Sequence, residues 1–463
     1  MARPVDLSRY GGTRGSATAQ DAQQMLDRGD LDAAASVIAV LVASQPGEAT
    51  TWFAQARLLA ARGQSAHAQE ACRRALALWP DILPVWRLFS DLAETLGNAP
   101  EGLDACRRML LANEPGDAVL ANRIGASLCA KGLFLEALPT LRIAAPVLGH
   151  QDSALWNYAT ALAVTGGYHE LLGFEPVLVE FARGLREPFS PFVHLVAAKL
   201  ALRFDRQAVL RESAARQRSA SWLDTASLAA CLREAIACRQ PFSLLLLAHG
   251  HARLVTYGGL HNHLAFSREE MSAVVNSVWT DAFGAVIEAN GAAPAAAVIR
   301  DLCAAIADAD VVALPGCDVL ALEHEHFGYL AEMQRLVLGR RSELCAGPEA
   351  IRELHEAMPF LRPLLAEQPF LGFVGSNRDL AEKLRHFCQV GETVTYLVPG
   401  PQQRRDNYPA GFEKTLAVLQ VPRPGAVFLV AAGLLGPIYC NRIKQLGGIA
   451  IDIESVLARW TRC

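Results

Sequence analysis

Half of the 12 histidines stand in His-x-His pairs: His249/His251, His261/His263 and His324/His326. On a strand such a pair presents both imidazoles on one face, a usable chelate for a metal ion. Imidazole suits Zn, Cu, Fe or Ni, whereas carboxylate suits Mg and Mn. Glu323 and Glu325 interleave with the last pair. If the pairs converge, they form a metal-dependent hydrolase site. His249 and His251 are the first candidate ligands, with His261 and His263 close behind them in sequence. The opposing reading is that each pair lies in its own polar loop and touches nothing in common.

These residues need an element to hold them. The run Leu244–Leu247 is short and wholly apolar, which reads as a strand buried on both faces. His249, His251 and Arg253 follow it directly, and Gly258-Gly259 reads as a turn. Polar residues just after a buried strand are where an open α/β sheet carries its chemistry. From about Leu223, short apolar runs alternate with helical segments, the pattern of a parallel sheet with crossover helices. Strands are expected at Leu244–Leu247, Val311–Leu314, Phe370–Val374, Thr393–Leu397, Val427–Ala431 and Ile449–Ile453. The loops after them carry Gly375, then Arg404 and Arg405 in a long segment, then Gly433 to Gly436 before a helix. A glycine loop opening a helix suits an anion at the helix N-terminus, although glycines that permit close packing explain it equally. It is neither a Walker nor a G-x-G-x-x-G loop.

The N-terminal part is periodic. Glycines fall at Gly29, Gly63, Gly97, Gly132 and Gly166, at intervals of 34, 34, 35 and 34 residues. Ala34, Ala68, Gly102 and Ala137 shadow them, Pro46, Pro80 and Pro115 close units, and Trp52, Trp86, Leu120 and Trp156 open them. Four classes of position keeping one period resemble the tetratricopeptide repeat. The large residue fills the gap between paired helices, the glycine makes the turn, the small residue permits close approach, and the proline ends the second helix. Each unit leaves an apolar face for the next, so the array stacks into a solenoid that offers a concave surface to a protein or peptide partner.

Bulk properties narrow the function. A net charge of −4 argues against a general nucleic-acid binder. No apolar run is long enough to span a membrane, and MARPVDLSRYGGTRGS lacks the apolar core of a signal peptide, so a cytoplasmic location is expected. The 11 scattered cysteines form no C-x-x-C pair and read as reduced thiols.

Two blocks of the second half resemble the bacterial GT-D-type glycosyltransferase domain. PFSLLLLAHGH, from Pro241, keeps the frame of the family's P-F-S-[LV]-x-R-[LYF]-G-D-G-E. GAVFLVAAGLLGPIYCNRIKQLGGIAIDIESVLARW, from Gly425, resembles its closing unit, and ADADVVALPG resembles an internal strand. The resemblance covers about Leu223 to Cys463 and implies a Rossmann-like α/β fold with a mostly parallel sheet. It also implies a nucleotide-diphosphate sugar substrate, with Mn or Mg held by the Asp and Glu of G-D-G-E. Here His249 and His251 stand at those two positions, Ala248 and Leu246 replace the Gly and Arg, and Glu454 replaces a Gly. The catalytic candidates are therefore His249, His251 and Asp310. The nucleotide-sugar candidates are Ser243, Gly250, Arg253, Gly375, Arg404, Arg405, Gly433, Gly436 and Asp452. Loss of the carboxylates predicts lost or reduced metal-dependent transfer.

The expected organisation is a loose tail over residues 1–16, an all-α tetratricopeptide solenoid with capping helices over 17–219, and a glycosyltransferase-like α/β domain over 220–463. The expected role is nucleotide-sugar binding in surface-glycan or protein glycosylation. The alternatives are a non-catalytic interaction scaffold and a His-ligated metal hydrolase.

Overall fold

A computed structural model describes residues 18–453 apart from 99, 103, 106, 107, 109–117, 150–152, 184–188, 261–264, 288–291, 340–343, 357–360, 367, 378–381 and 383–388. The expected tail, the His261/His263 pair, Pro115 and Glu454 lie outside the described residues. The chain divides into two compact units, Met1–Thr165 and Gly166–Cys463.

The first unit is an array of paired helices: α1 (Ala19–Asp27) with α2 (Leu31–Ser44), α3 (Ala49–Ala61) with α4 (Ser65–Leu78), α5 (Leu83–Thr95), α6 (Ala118–Ala130) with α7 (Phe134–Leu148), and α8 (Ala154–Thr165). The periodic glycines make the turns between paired helices. Gly29, Gly63, Gly97 and Gly132 have φ between 73° and 79°, the left-handed region that favours glycine. In each case the next residue donates its N–H five residues back: Asp30 to Met25, Gln64 to Leu59, Asn98 to Ala93 and Leu133 to Leu128. This is a Schellman closure repeated once per unit. Ala34, Ala68 and Ala137 are fully buried, as close helix approach requires. Ala54 and Leu58 of α3 complete the core of the preceding pair, so each pair buries its apolar face only against its neighbour.

Trp52 and Trp86 pack against the core of the array, as a gap-filling residue should, but neither is fully enclosed. Each indole N–H donates to the proline carbonyl six residues earlier, Trp52 to Pro46 at 2.8 Å and Trp86 to Pro80 at 2.6 Å. Each ring also carries a guanidinium over it at 4.7 Å, from Arg74 and Arg108 respectively. An indole is amphipathic, and a polar partner for its N–H keeps it at the edge of the core.

The second unit holds an eight-stranded, all-parallel sheet in the order β1-β4-β3-β2-β8-β7-β5-β6. The strands are β1 (Trp222–Leu223), β2 (Phe242–Leu246), β3 (Val311–Ala313), β4 (Leu344–Ala346), β5 (Phe370–Gly375), β6 (Glu392–Leu397), β7 (Val427–Ala431) and β8 (Ile449–Asp452). The six expected strands are present. The two additional strands, β1 and β4, are too short to leave an apolar run. Strand residues divide between the faces with period two. Leu245, Val312, Phe428 and Ala450 join one core, and Leu244, Val311, Leu429 and Ile451 join the other.

Four helices precede the sheet within this unit: α9 (Tyr168–Gly173), α10 (Glu175–Arg183), α11 (Phe189–Ala201) and α12 (Arg206–Gln217). Val196 and Leu200 of α11 are fully buried in the larger of the two sheet cores, so this segment packs with the α/β unit although the sequence places it with the solenoid up to 219. The helices that shape the cleft are α13 (His249–Leu260), α14 (Arg268–Phe283), α15 (Cys317–Leu322), α16 (Phe327–Leu338) and α17 (Gly436–Gln445). Gly258 and Gly259, expected as a turn, lie inside α13. A Cβ at Gly258 would come 2.8 Å from Ile299, and one at Gly259 would come 3.0 Å from Leu336. Both glycines serve close helix packing.

Candidate functional site

Sequential connections run from β2 to β3 and β4 on one side, and the chain later fills the sheet on the other side of β2. The β2–β8 boundary is therefore a switch point, where strand-end loops part and leave a crevice. A cleft of about 510 Å³ opens there. Its lining includes Leu246 and Asp452 at the ends of β2 and β8, Gly433 and Leu434 after β7, and His249, Gly250, His251 and Arg253 at the start of α13. Asp281 of α14 and His326 complete the wall.

His249 and His251 part company because they lie on a helix. Residues two apart on a helix point to different sides, whereas on a strand they would share a face. His251 is buried. Its Nδ1 accepts from the Ala248 N–H at 3.0 Å and its Nε2 lies 3.2 Å from the Leu434 carbonyl. Nε2 carries the proton in that arrangement and donates it. Burial pushes its pKa down to about 4, with the Leu434 hydrogen bond acting against the shift. Both nitrogens being committed to backbone, His251 ties the loop after β2 to the loop after β7 and has no lone pair for a metal.

His249 faces the opening. Its Nε2 lies 3.8 Å from Glu323 Oε1, and its ring centroid lies 4.3 Å from that of His326. Burial lowers its pKa, Glu323 raises it and Arg253 lowers it again, for a net downward shift. His326 is held at about 3, by burial first and then by His249, Arg253 and His194. Its Nε2 lies 3.8 Å from Glu325 Oε2, while its Nδ1 is buried with no hydrogen-bond partner. Ligand atoms of His249, Glu323 and His326 all lie within 4.8 Å of one another. The pair His324/His326 splits as well. The His324 carbonyl accepts from Tyr168 Oη at 2.6 Å and its ring contacts Arg206. One histidine from each of two pairs thus meets at the cleft.

The other expected residues divide into two groups. Gly250, Arg253, Gly433 and Asp452 line the cleft. Arg253 Nη1 donates to Ser277 Oγ at 3.3 Å, and its guanidinium lies 5.9 Å from the Tyr329 ring centroid. Asp310 and Ser243 lie elsewhere. The Asp310 carboxylate accepts from the Ser243 N–H at 2.8 Å and pairs with Lys444 at 3.0 Å, at the N-terminal end of the strands. That edge is opposite the cleft, so Asp310 holds strands together instead of facing a substrate. Gly375 lies at the end of β5, where an added Cβ would strike the Phe373 ring at 2.6 Å.

Arg404 and Arg405 donate to the backbone carbonyls of Asp281 and Gly284, each at 3.0 Å, and so brace α14. A Cβ at Gly436 would lie 3.2 Å from Asp452 Oδ2. The carboxylate of Asp452, buried and accepting from the Leu246 N–H at 3.4 Å, therefore occupies the approach to the α17 N-terminus where an anion was expected. Asp281, Leu434 and the place of Glu323 beside His249 and His326 were not anticipated. Nothing in the segment around Asp281 distinguishes it, and the interleaving of Glu323 with His324 and His326 is the one signal that pointed toward the cluster.

No protein-family model matches the chain, and no curated protein matches it. Among solved structures, MamA aligns at 14% identity over 35% of this chain and 88% of its own, with a TM-score of 0.30. YrrB, described as a TPR protein with an unusual peptide-binding site, aligns at 17% identity over 35% and 81%, with a TM-score of 0.29. PilW, a type IV pilus biogenesis factor, aligns at 18% identity over 43% and 90%, with a TM-score of 0.28. The repeat character of the first unit is carried by its own period and turns.

Proposed function

We propose that the chain is a protein-interaction scaffold whose helical array recruits a protein or peptide partner. The observation that carries this reading is the array itself: paired helices closed by the same glycine turn in successive units. Such stacking lays the first helices of successive units side by side and builds an extended binding surface. Polar residues run along those helices from unit to unit, with Arg57 to Asp27 at 2.9 Å, Arg123 to Asp91 at 2.8 Å and Asn157 to Asn122 at 3.2 Å. The test uses photo-crosslinking of the full chain in cells to define its partners. Charge reversal at Arg57 and Arg123 should then remove them while the far-UV circular dichroism stays unchanged. Partners retained at full strength by that variant would sink the reading.

A second reading has a specific observation behind it, the cleft at the β2–β8 switch point. There the α/β unit would take a nucleotide-diphosphate sugar, as the GT-D-type resemblance implies, without Mn- or Mg-dependent transfer. Its electrostatics favour this less. Arg253 shares the lining with Asp281 and Asp452, and the three histidines there, His249, His251 and His326, all have pKa values shifted down and are neutral at pH 7, so no excess of positive charge awaits a diphosphate. Thermal unfolding of the full chain with nucleotide diphosphates and their sugars, with and without Mn(II), tests it. A nucleotide-specific rise in Tm supports binding. Identical curves leave the scaffold role alone.

A further inference from the structure

His249 follows β2, and Glu323 and His326 bracket the break between α15 and α16, so the fold brings these side chains together from segments more than 70 residues apart. We propose that His249, Glu323 and His326 bind one divalent transition-metal ion of zinc or cobalt type at the mouth of the cleft. The observations are geometric. The three residues offer ligand atoms within 4.8 Å of one another, and two of them, His249 Nε2 and Glu323 Oε1, stand at 3.8 Å. Ligand atoms around a tetrahedral zinc, with bonds of about 2.0–2.1 Å, stand roughly 3.4 Å apart. The His249 side chain is 45% exposed, so a small rotation of that ring closes the difference without moving the core.

His326 supplies the second argument. Its Nδ1 is buried without a partner, and an unsatisfied buried nitrogen is costly unless something binds it. Its other nitrogen faces Glu325 at 3.8 Å, the arrangement in which an outer carboxylate orients a metal-bound imidazole. Two imidazoles and one carboxylate form a three-ligand set that leaves a coordination position open, and His249 and His326 both border the cleft. The donor set is nitrogen-rich, which favours zinc or cobalt over manganese or magnesium. Arg253 opposes a cation here, but it interacts with Glu325 and is bonded to Ser277, while Glu323 and Glu325 bring two carboxylates to the same corner. His251 is excluded as a ligand because both its nitrogens are engaged, and the Nδ1 of His324 is taken up by Arg206. The inference depends on neither the scaffold reading nor the nucleotide-sugar reading.

The experiment uses the full chain, stripped with chelator and titrated with Co(II) and, separately, Zn(II). The expected result is one equivalent bound at micromolar concentration, with the visible absorption of nitrogen-ligated, four- or five-coordinate cobalt that Zn(II) then displaces. His249→Ala and Glu323→Gln should each weaken binding by about tenfold or more, while the exposed His169→Ala leaves it unchanged. His326→Ala provides a third variant, interpreted only if its circular dichroism is native, because the residue is largely enclosed. Retention of stoichiometric affinity by His249→Ala and Glu323→Gln would overturn the proposal, as would absence of binding or a preference for Mn(II) over Zn(II).

Discussion

The two units are held together over very different chain distances. In the first, polar ties join neighbouring repeats: Arg57 to Asp27 spans 30 residues, Arg123 to Asp91 spans 32 and Asn157 to Asn122 spans 35. In the second, the ties that build the cleft span most of the unit. Leu246 meets Asp452 across 206 residues, and His251 meets Leu434 across 183. A structure made of neighbour contacts loses stability piecemeal, because removing one interface leaves the others intact. A parallel sheet whose central strands come from the beginning and end of its unit has no such fallback.

The sharpest break of this contrast is expected in the sheet. Phe428 is fully buried on β7, and a Cβ at Gly372 would approach its ring at 2.1 Å, so the two strands meet across that contact. Phe428→Ala should cost about 3–5 kcal/mol by urea denaturation. Hydrogen exchange should then accelerate throughout the sheet together. Exchange confined to β7 and its immediate neighbours would show that the second unit, too, behaves piecemeal.

A smaller effect is expected at a repeat turn. Gly63 has φ 73° with open space around it, so Gly63→Ala meets no clash and only backbone strain, about 1–2 kcal/mol. Protection should fall in α3 and α4 while α6 and α7 keep theirs. Smaller again is Trp52→Phe, which keeps an aromatic face for Arg74 but removes the hydrogen bond to Pro46. A loss of about 1 kcal/mol is expected, read from the urea midpoint of the array. An unchanged midpoint would mean that the indole N–H contributes nothing net.

The smallest effect concerns Cys72, fully buried on α4, whose thiol is pushed by burial up to about 12 from 9.0 despite Arg73. A raised pKa in the folded state means the thiol's contribution is intact below pH 9. It is lost as pH rises toward 12, because the unfolded chain ionises first. At pH 8, Cys72 should therefore react with a thiol reagent only as fast as its helices open, and the exposed Cys238 should react at once. Equal rates would show that the α3–α4 interface opens freely.

The same contrast governs what the sequence revealed. The solenoid was legible because its rules are local and repeated: a glycine that must take positive φ, an alanine under a crossing helix, a proline after a helix end. The central strands were legible because burial on both faces leaves unbroken apolar runs such as Leu244–Leu247. The cleft was legible only in place. His249, Gly250 and Gly433 were identified by their position after strands and Asp452 by the family resemblance, yet the roles of the histidines depend on α13 beginning at His249, and the two following glycines disguised that helix as a turn. Arg404 and Arg405 looked like anion ligands because their partners, the carbonyls of Asp281 and Gly284, carry no signature in a sequence. The meeting of His249 with His326 required a fold to bring them together.

The tie from Trp52 to Pro46 and its copy from Trp86 to Pro80 have a consequence at the level of the gene. If residues 46–79 were excised, Pro80 would follow Gln45, and Trp86 and Gly97 would occupy the places of Trp52 and Gly63. The indole would find its carbonyl and the glycine its turn. The array is in this sense a ruler graduated in steps of 34 or 35 residues, and recombination within the gene can change its reach by whole graduations without designing a new joint.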